Sequence, residues 1–269
     1  MIDIVHILWD LHKTLLPWDK RIEDEFFERF VRIYSKASNL KGRKKDKKVK
    51  KRMGERSVSQ FCYDEQRKLP LGALYGKPPV PVLDYSGLPQ KLIDGIDFSK
   101  YFIRSKDGHY EPGPSPEALE HIADVRSLFS YLKTKDIHSS ILTNDLKPRT
   151  IELIQLLGLS EDDFSLIITP DGIGFPKRYF SFHRKVFDQA TIACYVKAAT
   201  LIQEFEASNG RSNVRPNQIL YVDDNRLYCL EPAAATGMQT LWLTDSEIYV
   251  PGPKFQYNSV RGLENLLRK

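Results

Sequence analysis

The sequence predicts an α/β fold built on a parallel sheet with helices on both faces, and a largely helical segment inserted after the first strand. Two observations predict it. The chain opens with an apolar run of strand length, Ile4-Val5-His6-Ile7-Leu8-Trp9, that stops abruptly on Asp10. From Ala118 onward, helix-length and strand-length segments alternate, which is the rhythm of βαβ units. At 269 residues, 41% of them hydrophobic and 28% charged, the chain can bury one large core or two modest ones.

After Pro17, Ile22, Phe26, Phe30 and Ile33 recur at steps of four, four and three, with Phe27, Val31 and Tyr34 widening the stripe. That spacing predicts an amphipathic helix over 21–34. A basic run follows, with a second helix extending from it towards Leu69. Pro70, Pro78, Pro79, Pro81 and Pro89, interspersed with glycines, predict irregular structure, and 92–101 a helical or mixed piece. The cluster Glu111-Pro112-Gly113-Pro114-Ser115-Pro116 marks a hinge back into regular structure. Beyond it the pattern gives a helix over 118–135, a strand at 137–142, and a helix over 149–157 closed by Gly158 as a C-cap. Then follow a strand at 164–168, a helix over 186–207, a strand at 218–222, a short helix over 231–236 and a strand at 239–243. The first strand joins the same sheet. Residues 1–17 and 117–269 are therefore expected to form one core domain, and 18–116 an insertion.

The first residues carry Asp3 and no basic stretch, so a secretory signal is not expected. No apolar run approaches the roughly 20 residues of a membrane span, so no membrane contact is expected. Cys62, Cys194 and Cys229 are odd in number and widely spaced, which suits buried thiols in a reducing compartment. A cytoplasmic location is expected. The net charge of +5 is a local effect: nine of the twelve residues from Lys41 to Arg52 are Lys or Arg, and the rest of the chain is slightly acidic. Such a run is a solvated segment, a patch for a polyanion such as nucleic acid, or a nuclear localisation signal.

The chemistry gathers at three strand ends. Asp10 follows the first strand; Thr143-Asn144-Asp145 follows the second, just before a helix near Lys147-Pro148; Asp223-Asp224-Asn225 follows the strand ending at Val222. Ligands of open parallel sheets bind outside such ends. Adjacent carboxylates facing a third make a hard oxygen site suited to Mg²⁺. A hydroxyl at Thr143 beside helix amides suits an anion. Lys177, after Gly174-Phe175-Pro176, lies on a connection able to reach the same crevice.

This ordered set resembles the haloacid dehalogenase-like (HAD) superfamily, most of whose members are Mg²⁺-dependent phosphohydrolases. Its first motif, an apolar strand followed by DxDx(T/V), is matched by Asp10-Leu11-His12-Lys13-Thr14. Thr143-Asn144 matches the second, and Lys177, with Lys185 as the alternative, the third. Asp223-Asp224 matches the fourth. The resemblance covers about 150 residues, and the insertion falls where the family carries its C1 cap.

The resemblance implies an aspartyl-phosphate mechanism. Asp10 is the nucleophile; Thr143 and Lys177 hold the phosphoryl oxygens; Thr14, Asn144 and Lys185 are further candidates for substrate contact. Asp10, the His12 backbone carbonyl, Asp223 and Asp224 are the implied Mg²⁺ ligands. Lys44 and Lys45 of the basic run are candidate contacts for a polyanionic substrate, either a phosphorylated small molecule or a nucleic-acid end. One position departs from the pattern: His12 stands where the family's phosphatases carry the acid/base aspartate. Imidazole transfers protons near neutral pH, so catalysis by His12 is one reading. A catalytically degenerate phosphate- or nucleic-acid-binding protein is the other, and a dehalogenase a weaker third.

Overall fold

In the computed structural model, the residues described are 3–37, 44–54, 58, 61–62, 88–102, 113–174, 177, 189–244, 255–257 and 259–267. The chain divides into two compact units, one formed by 1–18 with 98–269, the other by 19–97. The return from the insertion thus falls at 97/98, where the sequence placed it near 116. The reason is Phe98, a fully buried aromatic whose ring lies 5.3 Å from that of His12 and 6.1 Å from that of Trp18.

The first unit is a parallel α/β sheet. Its strands are β1 (His6–Trp9), β2 (His138–Leu142), β3 (Leu166–Ile168), β4 (Ile219–Asp223), β5 (Gln239–Leu243) and β6 (Phe255–Tyr257), in the order β3-β2-β1-β4-β5-β6. Every pairing is parallel. The first strand therefore lies in the middle, with His6 opposite both His138 and Ile219. All four of its residues are buried, which is why Ile7, Leu8 and Trp9 are apolar in succession instead of alternating. Successive side chains point to opposite faces. Leu8 packs with Tyr195, Ala198 and Ile202 of the helix Gln189–Ser208, while Trp9 stacks at 5.8 Å on Phe129 of the helix Pro116–Thr134. Helices thus cover both faces.

In chain order the helices are α1 (Lys20–Ala37), α2 (Lys45–Met53), α3 (Leu88–Asp94), α4 (Ser99–Phe102), α5 (Pro116–Thr134), α6 (Lys147–Leu156), α7 (Pro170–Ile173), α8 (Gln189–Ser208), α9 (Glu231–Ala235) and α10 (Val260–Leu267). Several begin earlier than the apolar periodicity indicates, and for one reason. Pro89, Pro116 and Pro148 occupy first turns, where a missing N–H leaves no hydrogen bond unmade. At α5 the start is fixed by Ser115, whose hydroxyl accepts from the Ala118 N–H at 3.1 Å. Gly158 ends α6 as expected, at φ +70°, with the Arg126 guanidinium occupying the space of a missing Cβ. β6 and α10 follow a stretch for which the sequence pattern proposed no element.

The second unit is helical among its described residues. α1 runs slightly beyond its expected limits, and α2 presents Val49 and Met53 inward with its lysines exposed. The Lys50 ammonium sits 4.9 Å from the Phe27 ring centroid, and the Arg52 guanidinium 5.6 Å from that of Tyr34. Lys41 to Arg43, most of the expected extension towards Leu69, and the proline-rich stretch before Leu88 lie outside the described residues. No described helix is long and apolar enough to cross a membrane.

Candidate active site

From the central β1 the chain builds outward to β2 and β3, then returns to β4 on the other side. The carboxyl ends of β1 and β4 border this switch point, where open parallel sheets form a crevice. Asp10 follows β1 and Asp223 closes β4. The Asp10 N–H donates to the Val222 carbonyl at 2.9 Å, tying the two ends together. After Asp10 the chain turns sharply: the Leu15 and Leu16 N–H groups both donate to the Leu11 carbonyl, and Lys13 takes a left-handed φ of +62°. This turn brings Thr14 back, so that its hydroxyl donates to Asp10 Oδ2 at 3.2 Å.

Lys177 is the centre of the cluster. Its side chain is 1% exposed, and its ammonium donates to Asp10 Oδ1 and, at 2.7 Å, to Asp223 Oδ2. Its backbone N–H donates at 2.8 Å to Asn144 Oδ1, so Asn144 holds the lysine's main chain rather than presenting itself alone. The Cys194 thiol donates to the Lys177 carbonyl at 3.0 Å. Burial pushes that thiol up to about 12, so it remains a protonated donor. Lys185, the alternative to Lys177, lies outside the described residues.

Asp223 already serves several donors. Besides Lys177 it accepts from the Tyr221 hydroxyl and, at 2.6 Å, from the Asn225 N–H. Burial first, and then the Asp223 charge, hold the Tyr221 hydroxyl well above its ordinary range, which keeps it a donor. Asp224 is half-buried, and its carbonyl accepts from Trp242 Nε1 at 2.9 Å. Carboxylate oxygens of Asp10, Asp223 and Asp224 lie within 4.8 Å of one another. Three carboxylates against one ammonium leave a net negative charge of about two in a buried pocket, which a divalent cation would neutralise. All-oxygen donors fit Mg²⁺. Asp10, Asp223 and Asp224 are the carboxylates that could hold it.

The end of β2 supplies Thr143 and Asp145, and Asp145 is a partner for His12, on the turn after β1, that the motif pattern assigns no role. His12 Nε2 lies 2.7 Å from Asp145 Oδ2, and the Thr143 hydroxyl donates to the same carboxylate oxygen at 3.2 Å. Asp145 and Thr143 are buried; the His12 side chain is 13% exposed. His12 Nδ1 is buried and has no hydrogen-bond partner among the described residues. Trp18 meets the imidazole edge-on at 6.2 Å, with the Lys13 ammonium 4.6 Å from the Trp18 ring centroid. The available signal for Asp145 was its place two residues after Thr143, at the strand tip beside a histidine-bearing turn. For Tyr221 it was strand alternation, which puts Tyr221 and Asp223 on one face. Lys44 and Lys45 belong to the second unit and are exposed at the start of α2.

No family model and no curated protein sequence matches the chain. Solved structures do. YfnB from Bacillus subtilis, described as a HAD-hydrolase bound to magnesium, aligns with a TM-score of 0.53 at 16% identity over 99% of both chains. A predicted phosphoglycolate phosphatase from Haemophilus somnus 129pt gives 0.52 at 13% identity, again over 99% of each chain. CbbY from Rhodobacter sphaeroides, in complex with phosphate, gives 0.50 at 16% identity over 97% of this chain and 96% of that one. At such identities the likeness is one of fold, and the fold is HAD-like.

Proposed function

We propose that this chain, on its HAD-like scaffold, is a Mg²⁺-dependent phosphomonoesterase acting through an aspartyl-phosphate on Asp10. The observation that carries the reading is the buried contact of Lys177 with both Asp10 and Asp223, at the ends of β1 and β4. A nucleophilic carboxylate facing an anionic phosphoryl group needs a fixed cation beside it, and Lys177 is one. Asp10 and Asp224, with the His12 backbone carbonyl, would hold Mg²⁺, with Asp223 acting directly or through water. Bound there, the ion supplies charge neutralisation for the phosphoryl oxygens.

In the first half-reaction an Asp10 carboxylate oxygen bonds to phosphorus, and the ester oxygen leaves with the bonding electron pair. His12 gives that oxygen a proton. In the second half-reaction His12 takes a proton from water, whose oxygen attacks phosphorus and returns Asp10 as carboxylate. Asp145 fixes the imidazole for both transfers by engaging Nε2, which leaves Nδ1 as the working nitrogen. The Thr143 hydroxyl turns from Asp145 towards a phosphoryl oxygen once substrate is present. Thr14 and Asn144 hold the Asp10 carboxylate and the Lys177 main chain.

The exposed lysines of α2, Lys44 and Lys45 among them, support a polyanionic substrate such as a nucleotide or a nucleic-acid end. The buried, unbridged thiols of Cys62, Cys194 and Cys229 support a reducing compartment, the cytoplasm or nucleus. A second reading, a binding protein that keeps the fold without turnover, draws on the imidazole at position 12. Phosphate release from an aryl phosphate, nucleotides and phosphorylated oligonucleotides, with and without Mg²⁺, separates the two. Turnover that requires Mg²⁺ and vanishes in Asp10→Asn is expected. Silence on every substrate, with phosphate still bound, would establish the second reading.

A further inference from the structure

At the opposite end of β1 from Asp10, three side chains converge. His6 opens β1, His138 opens β2 in register with it, and Glu206 comes from the last turn of α8. His6 and Glu206 are fully buried, whereas the His138 side chain is 27% exposed. Glu206 Oε1 lies 2.6 Å from His6 Nδ1 and 2.8 Å from His138 Nδ1, and one ligand atom of each residue falls within 4.8 Å of the others. The far atoms are anchored as well. His6 Nε2 lies 2.8 Å from Ser140 Oγ, and Glu206 Oε2 lies 3.4 Å from Arg211. Phe205 meets both imidazoles edge-on, at 6.3 and 5.2 Å.

We propose that His6, His138 and Glu206 form a second metal site, separate from the all-oxygen cluster, for a borderline divalent ion of the Zn²⁺ class. Two imidazole nitrogens with one carboxylate oxygen are a donor set that such ions prefer and Mg²⁺ does not. Metal-ligating histidines give their other ring N–H to a fixed acceptor, the part that Ser140 plays for His6; Arg211 does the like for the carboxylate. In the metal-free form both Nδ1–H groups donate to Glu206 Oε1. To bind the ion each neutral imidazole carries its single N–H on Nε2 instead of Nδ1, where Ser140 Oγ accepts the one from His6, so the two histidines bind without net proton release. Tetrahedral bonds of about 2.0–2.2 Å put donor atoms roughly 3.3 Å apart, so the side chains must open by about 0.5 Å. His138 sits where that opening is easiest, on a cavity of about 510 Å³ lined also by Ser139, Phe205 and Asp136. The positive charge of Arg211 does not stand alone against the ion, because its guanidinium also pairs with the Asp136 carboxylate.

The test is a Co²⁺ titration of the whole, chelator-stripped chain in excess Mg²⁺, read by visible absorption and calorimetry. One Co²⁺ per chain is expected, with the absorption of a four- or five-coordinate nitrogen/oxygen site, displaced by Zn²⁺. Affinity should persist in Asp10→Asn/Asp224→Asn and fall at least about tenfold in His138→Gln. Zn²⁺ should also raise the melting temperature of the wild type and of the aspartate double variant. No Co²⁺ bound under excess Mg²⁺ would overturn the proposal. So would binding that is lost with Asp10 and Asp224 yet indifferent to His138→Gln. Should His138→Gln fail to fold, the wild-type titration and the aspartate double variant still decide between these outcomes.

Discussion

His12 Nε2 lies 2.7 Å from the Asp145 carboxylate, although the two residues come from turns after different strands, β1 and β2. This contact gives the imidazole a fixed orientation and, in the proposed reaction, leaves Nδ1 to carry the proton. Asp145→Asn should therefore cost kcat more than KM, by about 10²-fold with alkyl phosphates, whose leaving oxygen needs a proton. With p-nitrophenyl phosphate the loss should be much smaller. Steady-state kinetics on both substrates check this; equal losses would reduce Asp145 to a packing role.

The same pair predicts a non-additive outcome. His12→Asp puts a second carboxylate opposite Asp145, where like charges repel and one of them is driven towards its protonated form. The single variant should turn over more slowly than the wild type. His12→Asp/Asp145→Asn should recover much of the loss, because the amide can donate to the new carboxylate. A double-mutant cycle in kcat measures the coupling, and additivity would show that the two positions act separately.

Lys177→Met leaves Asp10 and Asp223 buried without their ammonium. Removing one partner of a buried ion pair typically costs about 3–5 kcal/mol. Mg²⁺ at the same carboxylates should compensate in part. Thermal melts are expected to show a large drop for the variant, and a Mg²⁺-induced rise greater than that of the wild type. Equal Mg²⁺ responses would argue against a shared charge balance.

His121, on α5, approaches the Leu15 carbonyl at 3.0 Å and so props the turn that carries the first motif. Burial holds its imidazole below the ordinary value of 6.5, and backbone hydrogen bonds only partly offset this. In the unfolded chain it takes up a proton as pH falls below about 6.5, whereas in the folded chain it resists until lower pH. Its contribution to stability is complete above that value and declines as pH falls towards the folded pKa. Denaturant melts should show His121→Gln losing this part of the acid sensitivity; an unchanged pH profile would assign the sensitivity elsewhere.

The basic helix gives a salt signature. Replacing Lys44, Lys45, Lys47 and Lys48 with Gln should weaken oligonucleotide binding most at low salt and flatten the dependence of log K on log salt. Equal slopes for variant and wild type would leave these lysines as solubilising charges.

Much of the fold was legible because β1 and β4 are short apolar runs that end on carboxylates, and strand ends in a parallel sheet share one edge. Asp10, Thr143, Asp223 and Asp224 could be collected on that ground, whereas Lys177, on a connection, rested on the family resemblance with Lys185 as its alternative. What escaped depends on contacts between distant residues. Asp145 looks like an ordinary turn residue until His12 is brought beside it, and Asn144 like a substrate ligand until the Lys177 main chain is. Phe98 carries no label that it belongs with His12 rather than with the helices before it. Phe255-Gln256-Tyr257 is too short to show a period, and it counts as a strand only because β5 lies alongside.

The place of β1 at the centre of the sheet has a consequence for how the molecule is made. His6 pairs with His138 and Ile219, so both edges of this strand are closed by distant segments, β2 about halfway along the chain and β4 only much later. Until β4 follows, one hydrogen-bonding edge of an apolar segment stays open. Closure of the sheet consequently waits on long-range pairing, and β1 stays open to mispairing and to chaperone capture until its second neighbour arrives.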